Sequence, residues 1–393
     1  MTRPVMAGLL TAIVGFTSSF AVVLAGLRAV GATPAEAASG LLALCALQGV
    51  GILWLTRRHR LPLTLAWSTP GAAVLASSGG VDGGWHAAVG AFLVVGGLVL
   101  LTALWPALGR LIASIPAPIA QAMLAGVLLS LCLAPVRGVV DHPLVVGPAV
   151  VVWLALLRVA PRWAVPAAFG TALVTIGVDI ARTGGLDGPL VPHLAWTTPS
   201  FTWGAVIGIA VPLYVVTMAS QNVPGVAVMA SYGFDVPWRE TMLVTGVGTA
   251  VGAAAGGHAI NLAAITTALS ASPEAHPDPR RRWVAAHTAG WAYLVLAVVS
   301  AALTSFVAAA PAGVAEAVAG LGLLATLGSS LSGALSSMDG REAAVVTFLV
   351  AASGVTLLGV GAAFWALAAG LAVVAVLRRR AGLRMAPETG PSS

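Results

Sequence analysis

The chain of 393 residues is 59% hydrophobic and only 8% charged, with a mean hydropathy of +0.97. That composition excludes a soluble globular domain and fits a chain threaded repeatedly through a bilayer. The net charge of +6 comes from 19 arginines and no lysine, set in short groups between apolar runs. Such placement is a topology pattern and argues against a nucleic-acid-binding face.

Apolar runs of membrane length recur in chain order at 6–30, 35–55, 64–78, 85–108, 116–134, 143–159, 163–181, 203–222, 238–255, 259–271, 283–309, 312–335, 342–357 and 359–377. The first run is too long for the apolar part of a signal peptide, so no cleavable leader is expected. The runs 64–78 and 259–271 are too short to cross as straight helices of ~20 residues. Each is third in its set of seven. Short, interrupted segments at matching positions in two halves point to an inverted-repeat transporter with its site between them. The expected fold is therefore an all-α polytopic membrane protein of about fourteen segments. The repeats are placed at 1–182 and 203–380, with the second inverted.

The arginines set the orientation. With the N-terminus in the cytoplasm, sixteen of the 19 fall inside, and Arg28, Arg137 and Arg182 fall outside. Both termini are then cytoplasmic. The long outer loop, 182–202, is expected to pack over the outer face, and residues 384–393 to form a disordered tail. Cys45 and Cys132 both fall in apolar runs and read as inert buried thiols.

The first interrupted run contains Trp67, Ser68, Thr69 and Pro70. Leu63–Trp67 has extended character, Thr69 is a cap-forming residue, and Pro70 fits the first helical position, where its missing N–H costs nothing. A half-helix beginning there would expose its amide end at mid-membrane; a proline-kinked ordinary span is the alternative. The second interruption is Gly256–Gly257–His258, followed by Asn261 and a small apolar run. It reads as an unwound segment feeding a second half-helix, with Asn261 in a cap-like position. Non-helical backbone at membrane depth must line a cavity or be covered by protein. Two amide ends facing one site would suit an anion, and an imidazole beside them could carry a proton. His258 could equally be a hydrogen-bonded structural histidine, although ionisable residues within spans are functional by default.

Two polar patches accompany the breaks. Gln221 and Asn222 precede Pro224–Gly225 near the end of the eighth run, where they are either ligand amides or a solvated helix terminus. Thr17, Ser18 and Ser19 form a hydroxyl patch in the first run, each weak evidence alone. His287 reads as structural, and Glu316 and Asp179 lie near outer ends within reach of water. Glu274–Arg282 carries metal-ligand residue types, but its two prolines and three arginines describe a rigid cytoplasmic loop. No nucleotide-binding, protease or hydrolase motif is present, and no metal or cofactor is expected.

Five stretches carry a family resemblance: Gly15–Ser19, Ala66–Ala72, Thr217–Gly225, Gly256–Thr266 and Glu274–Pro279. With them the chain resembles the benzoate:proton symporters, the BenE family, within the nucleobase and anion transporter superfamily. The resemblance implies a bacterial inner-membrane carrier for benzoate or a close analogue, coupled to protons. It also implies a core domain of spans 1–4 and 8–11 and a gate domain of spans 5–7 and 12–14, with a short strand and a half-helix in the third and tenth segments. A homodimer is the assembly to be tested.

Uracil permease-type carriers resemble the chain around Gly257–Thr266 but hold glutamates where His258 and Gln221 stand, and an aromatic residue where Trp67 stands. A nucleobase offers N–H donors to a carboxylate, whereas benzoate is an anion that a carboxylate would repel. The implied substrate set is Thr17, Ser18, Trp67, Ser68, Thr69, Gln221, Asn222, Gly257, His258 and Asn261, with His258 as proton carrier. A carrier for another organic anion or a nucleobase, an uncoupled channel of the same fold, and a membrane enzyme are the other readings.

Overall fold

The computed structural model describes residues 2–80, 82–183, 190–311, 313–336, 338 and 340–384. The first span is α1 (Thr2–Thr17) and α2 (Phe20–Ala29), interrupted at Ser18 and Ser19. Side-chain hydroxyls account for the interruption. Thr17 Oγ1 donates to Ile13 O, and Ser18 and Ser19 both donate to Gly15 O, competing with the helix's own amides.

Next, α3 (Pro34–His59) is started by a capping box in which Thr33 accepts from Glu36 N–H and the Glu36 carboxylate accepts from Thr33 N–H. Then come β1 (Leu65–Trp67), α4 (Thr69–Ser78) and α5 (Gly84–Leu104). The short α6 (Pro106–Ala113) begins at Pro106, which cannot continue the preceding helix. α7 (Ala117–Asp141), α8 (Pro143–Val159) and α9 (Pro161–Thr183) complete the first seven segments.

The eighth span differs from the sequence expectation. α10 (Trp203–Ala205), α11 (Val211–Thr217) and α12 (Val223–Ser231) form one continuous helix through π-helical turns at Val206–Ala210 and Met218–Asn222. Gln221 and Asn222 are therefore inside a helix, not at its end. Pro224 stands in the first turn after the second π-turn, where the altered pairing tolerates its missing N–H.

The remaining elements are α13 (Trp238–Ala253), β2 (Ile260–Leu262), α14 (Ile265–Ala271), α15 (Trp283–Ala308), α16 (Val314–Ala334), α17 (Arg341–Ala352) and α18 (Ala362–Arg384). α17 ends before its apolar run does. Gly354 with φ +63° turns the chain there, and Leu357 bridges to Val360. Eight helices among the described residues are long and apolar enough to cross a membrane alone. The other segments are short or broken, so length by itself undercounts the fourteen.

The two broken segments, third in each set of seven, meet in an antiparallel pair with Leu65 opposite Leu262, Ala66 opposite Asn261 and Trp67 opposite Ile260. Ser68 N–H to Ala259 O and Ala263 N–H to Thr64 O, both 3.0 Å, extend the ladder. The two strands run in opposite directions, as an inverted repeat requires. Around it pack α1, α2, α3, α5, α13 and α15, while α7 packs with α16, α17 and α18, and α8 with α9.

The described part of the 182–202 loop lies over the first group. Ala195 N–H donates to Ser39 Oγ, Thr197 N–H to Ala254 O, and Trp85 Nε1 to Thr197 Oγ1. Of the expected disordered tail, 384–393, all but Arg384 lies outside the described residues.

Candidate functional site

The strand pair carries a buried polar cluster. Ser68, and not Thr69, caps α4: its backbone is extended and its Oγ accepts from Gly71 N–H at 3.1 Å. Thr69 is the first helical residue, so the sequence expectation is corrected by one position. Both residues can cap, and a tertiary contact selects between them, because Ser68 Oγ is hydrogen-bonded to Thr217 Oγ1 of α11 at 2.7 Å. Replacing Ser68 with Ala is expected to cost about 1 kcal/mol of stability through the lost cap. It also strands the buried Thr217 hydroxyl. Thermal unfolding in detergent reads this, and an unchanged midpoint rejects the capping role.

Asn261 is corrected as well. It lies within β2 opposite Ala66, four residues before α14 begins, and does not cap it. Its Nδ2 donates to Leu262 O at 2.9 Å, while its Oδ1 is buried without a partner. The residue that starts α14 is Ala264, whose methyl side chain cannot cap. The two half-helices thus differ: α4 is closed by a hydroxyl and α14 is not.

His258 is fully buried beside the strand pair. Its Nε2 lies 2.9 Å from Ser68 O. A carbonyl only accepts, so this nitrogen carries the hydrogen in the neutral ring, and Nδ1 is left with a bare lone pair. Nδ1 is sealed from solvent and has no hydrogen-bond partner among the described residues. The edge of the ring meets Phe92, centroids 6.4 Å apart. Gly256, with φ +92°, makes the turn that places His258, and Gly257 N–H closes it onto Gly252 O at 2.8 Å.

The other expected residues divide into held and open. Trp67 is sealed, 2% exposed, with Nε1 donating to Ser19 Oγ at 2.8 Å and with Phe16 and Tyr293 against its ring. Asn222 is buried, and its Oδ1 accepts from Leu262 N–H at 2.8 Å, tying the π-turn to β2. By contrast Thr17, Ser18, Thr69 and Gln221 are half-buried. Hydrogen bonds therefore bring Ser68, His258, Asn222, Asn261 and Trp67 to one joint, and Gln221 lies on the turn that Asn222 anchors.

Four participants went unassigned in the sequence. Ser19 and Thr217 sit in the quoted motifs but were given no role. Thr249 accepts from Ile260 N–H at 2.9 Å and holds the strand from α13. Gln48 of α3 is completely buried, with both amide atoms unpartnered among the described residues. A lone glutamine in an apolar run is the signal that marks it.

Elsewhere the structure is conventional. In the Glu274–Arg282 loop, Arg282 donates to Ala271 O and His276 O, both at 2.9 Å, and Asp278 caps the turn Pro279–Arg281. The loop is pinned as the prolines suggest, and Glu274 pairs with Arg162 at the start of α9. The hydrogen bond and positive charge of Arg162 hold the Glu274 carboxyl below the usual carboxylate range. His287 is bonded to Thr56, a structural role. Cys45 and Cys132 are free and buried.

Comparisons with known proteins give the family and the fold. The family profile described as BenE, benzoate membrane transport protein, matches residues 2–376. Inner membrane protein YdcO of Escherichia coli (strain K12) is 40% identical over 368 residues, covering 93% of each chain. The benzoate membrane transport protein of Acinetobacter baylyi is 26% identical over 330 residues, covering 83% of this chain and 82% of that one. Among solved structures, the transmembrane domain of the cyanobacterial bicarbonate transporter BicA superposes with a TM-score of 0.64 at 13% identity, over 94% of this chain and 97% of that one. The murine Slc26a9 anion transporter in its inward-facing state gives 0.63 at 16% identity, over 96% and 69%. At these identities the two structures speak for the fold. The chain belongs to the BenE family of benzoate membrane transport proteins, and is a multi-pass inner-membrane transporter and not an enzyme.

Proposed function

We propose that this transporter is a secondary active carrier that imports benzoate, or a close aromatic carboxylate, together with a proton. The observation that carries the reading is the His258 ring. It is fixed at Nε2 by Ser68 O and offers a buried, unpartnered Nδ1 at the joint of the two broken segments. A carboxylate bound nearby favours the imidazolium, so anion and proton bind with positive and reciprocal coupling. Carrying the two together lowers the cost of taking charge through an apolar interior.

The half-buried Thr17, Ser18, Thr69 and Gln221 meet the substrate first, with the Gln221 amide donating to its carboxylate. Phe16 and Trp67 supply an aromatic wall for the ring. Ser68, Asn222, Gly257 and Asn261 hold the backbone that forms the site. The name of the Acinetobacter relative supports the substrate class, as does the absence of glutamates at positions 221 and 258. On this reading spans 1–4 and 8–11 are the core, and spans 5–7 and 12–14 the gate against which it moves.

Uptake into proteoliposomes with an imposed inward proton gradient tests the proposal. Benzoate should accumulate above equilibrium, and substituted benzoates should compete while uracil should not. Equilibration without accumulation identifies a channel, and preference for uracil replaces the substrate. The arginine distribution supports a topology with both termini in the cytoplasm. A cysteine at Ser392, in a chain otherwise lacking cysteine, should resist impermeant thiol reagents in intact cells and react in inverted vesicles. Labelling in intact cells reverses the topology.

A further inference from the structure

Arg28, in the last turn of α2, takes no part in the site described above. Its guanidinium forms no ion pair and no side-chain hydrogen bond among the described residues, and its Nε is sealed from solvent without an acceptor. The C-terminal dipole of α2 favours a cation there but does not neutralise it. A half-buried charge at a span end is costly, and a counter-ion would lower that cost.

The direction of the side chain follows from its neighbours. A β-carbon at Gly26 would meet the Ala72 carbonyl of α4, and the Leu27 side chain lies against Gly40 of α3. Arg28 is a further step of about 100° around the helix, turned away from both. Ala25, Arg28 and Ala29 are the half-buried residues of a helix otherwise buried. The remaining partners of α2 are α16, where Gly322 packs on the Ser18 carbonyl, and α9, whose Phe169 meets Phe20 edge to face. Arg28 thus stands on the side of α2 turned from α3 and α4, at the seam with α9 and α16. It lies ten residues from the break at Ser18, at the end where Gly31 meets the first turn of α5. Glu36, the next carboxylate along the chain, is occupied by Thr33, and Glu316 at the start of α16 forms no ion pair among the described residues.

The geometry points to Arg28 as an anion-recruiting residue at the outer mouth of this seam, pairing with the carboxylate of the incoming substrate before it reaches the strand pair; this rests on the carrier reading above. A guanidinium suits the role because it binds a carboxylate in two parallel hydrogen bonds and keeps its charge at all relevant pH. The pairing is transient: the anion is passed inward to a site where His258 and Gln221 hold it.

The test is benzoate uptake in vesicles of known orientation, at about 10 mM and about 300 mM ionic strength. Arg28→Gln should raise the outer-face KM roughly tenfold at low salt and abolish its salt dependence, since the attraction steers encounter. The maximal rate should stay within about twofold, and the inner-face KM should not move. Arg28→Lys should keep the salt dependence, which a merely structural role does not predict. Wild-type KM and salt response in Arg28→Gln overturn the inference, as does an equal change on both faces or a collapse of maximal rate in both variants. Should the wild type take up no benzoate, the carrier reading fails by itself. Chloride and sulfate uptake by the same vesicles then decide the role of Arg28, and a wild type that carries none of the three anions overturns it too.

Discussion

His258→Gln is expected to abolish accumulation of benzoate against its gradient while leaving binding measurable. Glutamine can still donate from its side-chain nitrogen to Ser68 O, so the joint between the strands keeps its hydrogen bond. What disappears is the second ring nitrogen, the buried lone pair at which a proton can be held. One proton carried per anion across a gradient of one pH unit sustains roughly tenfold accumulation, because each unit is worth about 1.4 kcal/mol. The variant should fall to simple equilibration. Wild-type affinity for benzoate should also rise as pH falls, since the proton and the anion favour each other's binding, and the variant should lose that slope. Both quantities come from one set of uptake and binding curves over a range of pH. Unchanged accumulation in His258→Gln moves the proton to another residue, to water, or to the substrate as benzoic acid.

A large loss of stability is expected from Gly40→Ala. A β-carbon at this position on α3 would collide with the carbonyl oxygen of Gly256, with the backbone of the unwound segment behind it. Gly256 cannot yield easily: its φ of +92° makes the turn before His258, and Trp85 packs on its other side. Overpacking of this kind costs about 3 kcal/mol, a large fraction of the whole stability of a marginal protein. Gly97→Ala is the control. It sits in α5 with open space where the methyl would go, and alanine favours a helix over glycine by up to about 1 kcal/mol. Melting followed by size-exclusion chromatography should show a large fall for the first and none for the second. Equal midpoints would mean that the contact between α3 and the unwound segment does not constrain the fold.

The span count and the two interruptions were legible because bilayer thickness imposes a length on every crossing, and 64–78 and 259–271 fall short of it. The extended stretch before α4 was legible too, since proline and cap-forming residues act locally. The identity of the cap was not. Ser68 and Thr69 are equally able, and Thr217, far away in sequence, decides between them. Asn261 shows the same limit from the other side: its residue type suits a cap, but strand pairing with Ala66 fixes its place. The break at Ser18–Ser19 was read as a polar patch, because hydroxyls in a span usually bond the preceding turn without breaking it. The continuation of the eighth span past Pro224 depends on a π-turn, which proline alone does not announce.

The antiparallel pairing of Leu65–Trp67 with Ile260–Leu262 also bears on how this chain can be divided. Each strand lies at membrane depth and turns one edge of its backbone to the strand from the other half; the outward Ile260 and Leu262 amides go to Thr249 and Asn222. Alone, either set of seven segments would leave bare amides and carbonyls where lipid offers nothing to bond them. The halves are thus obligate complements, each one the other's missing backbone solvent. Cut apart and expressed as two polypeptides, they can be folded only together. A half-length ancestor would have met the same requirement by pairing with an oppositely inserted copy of itself.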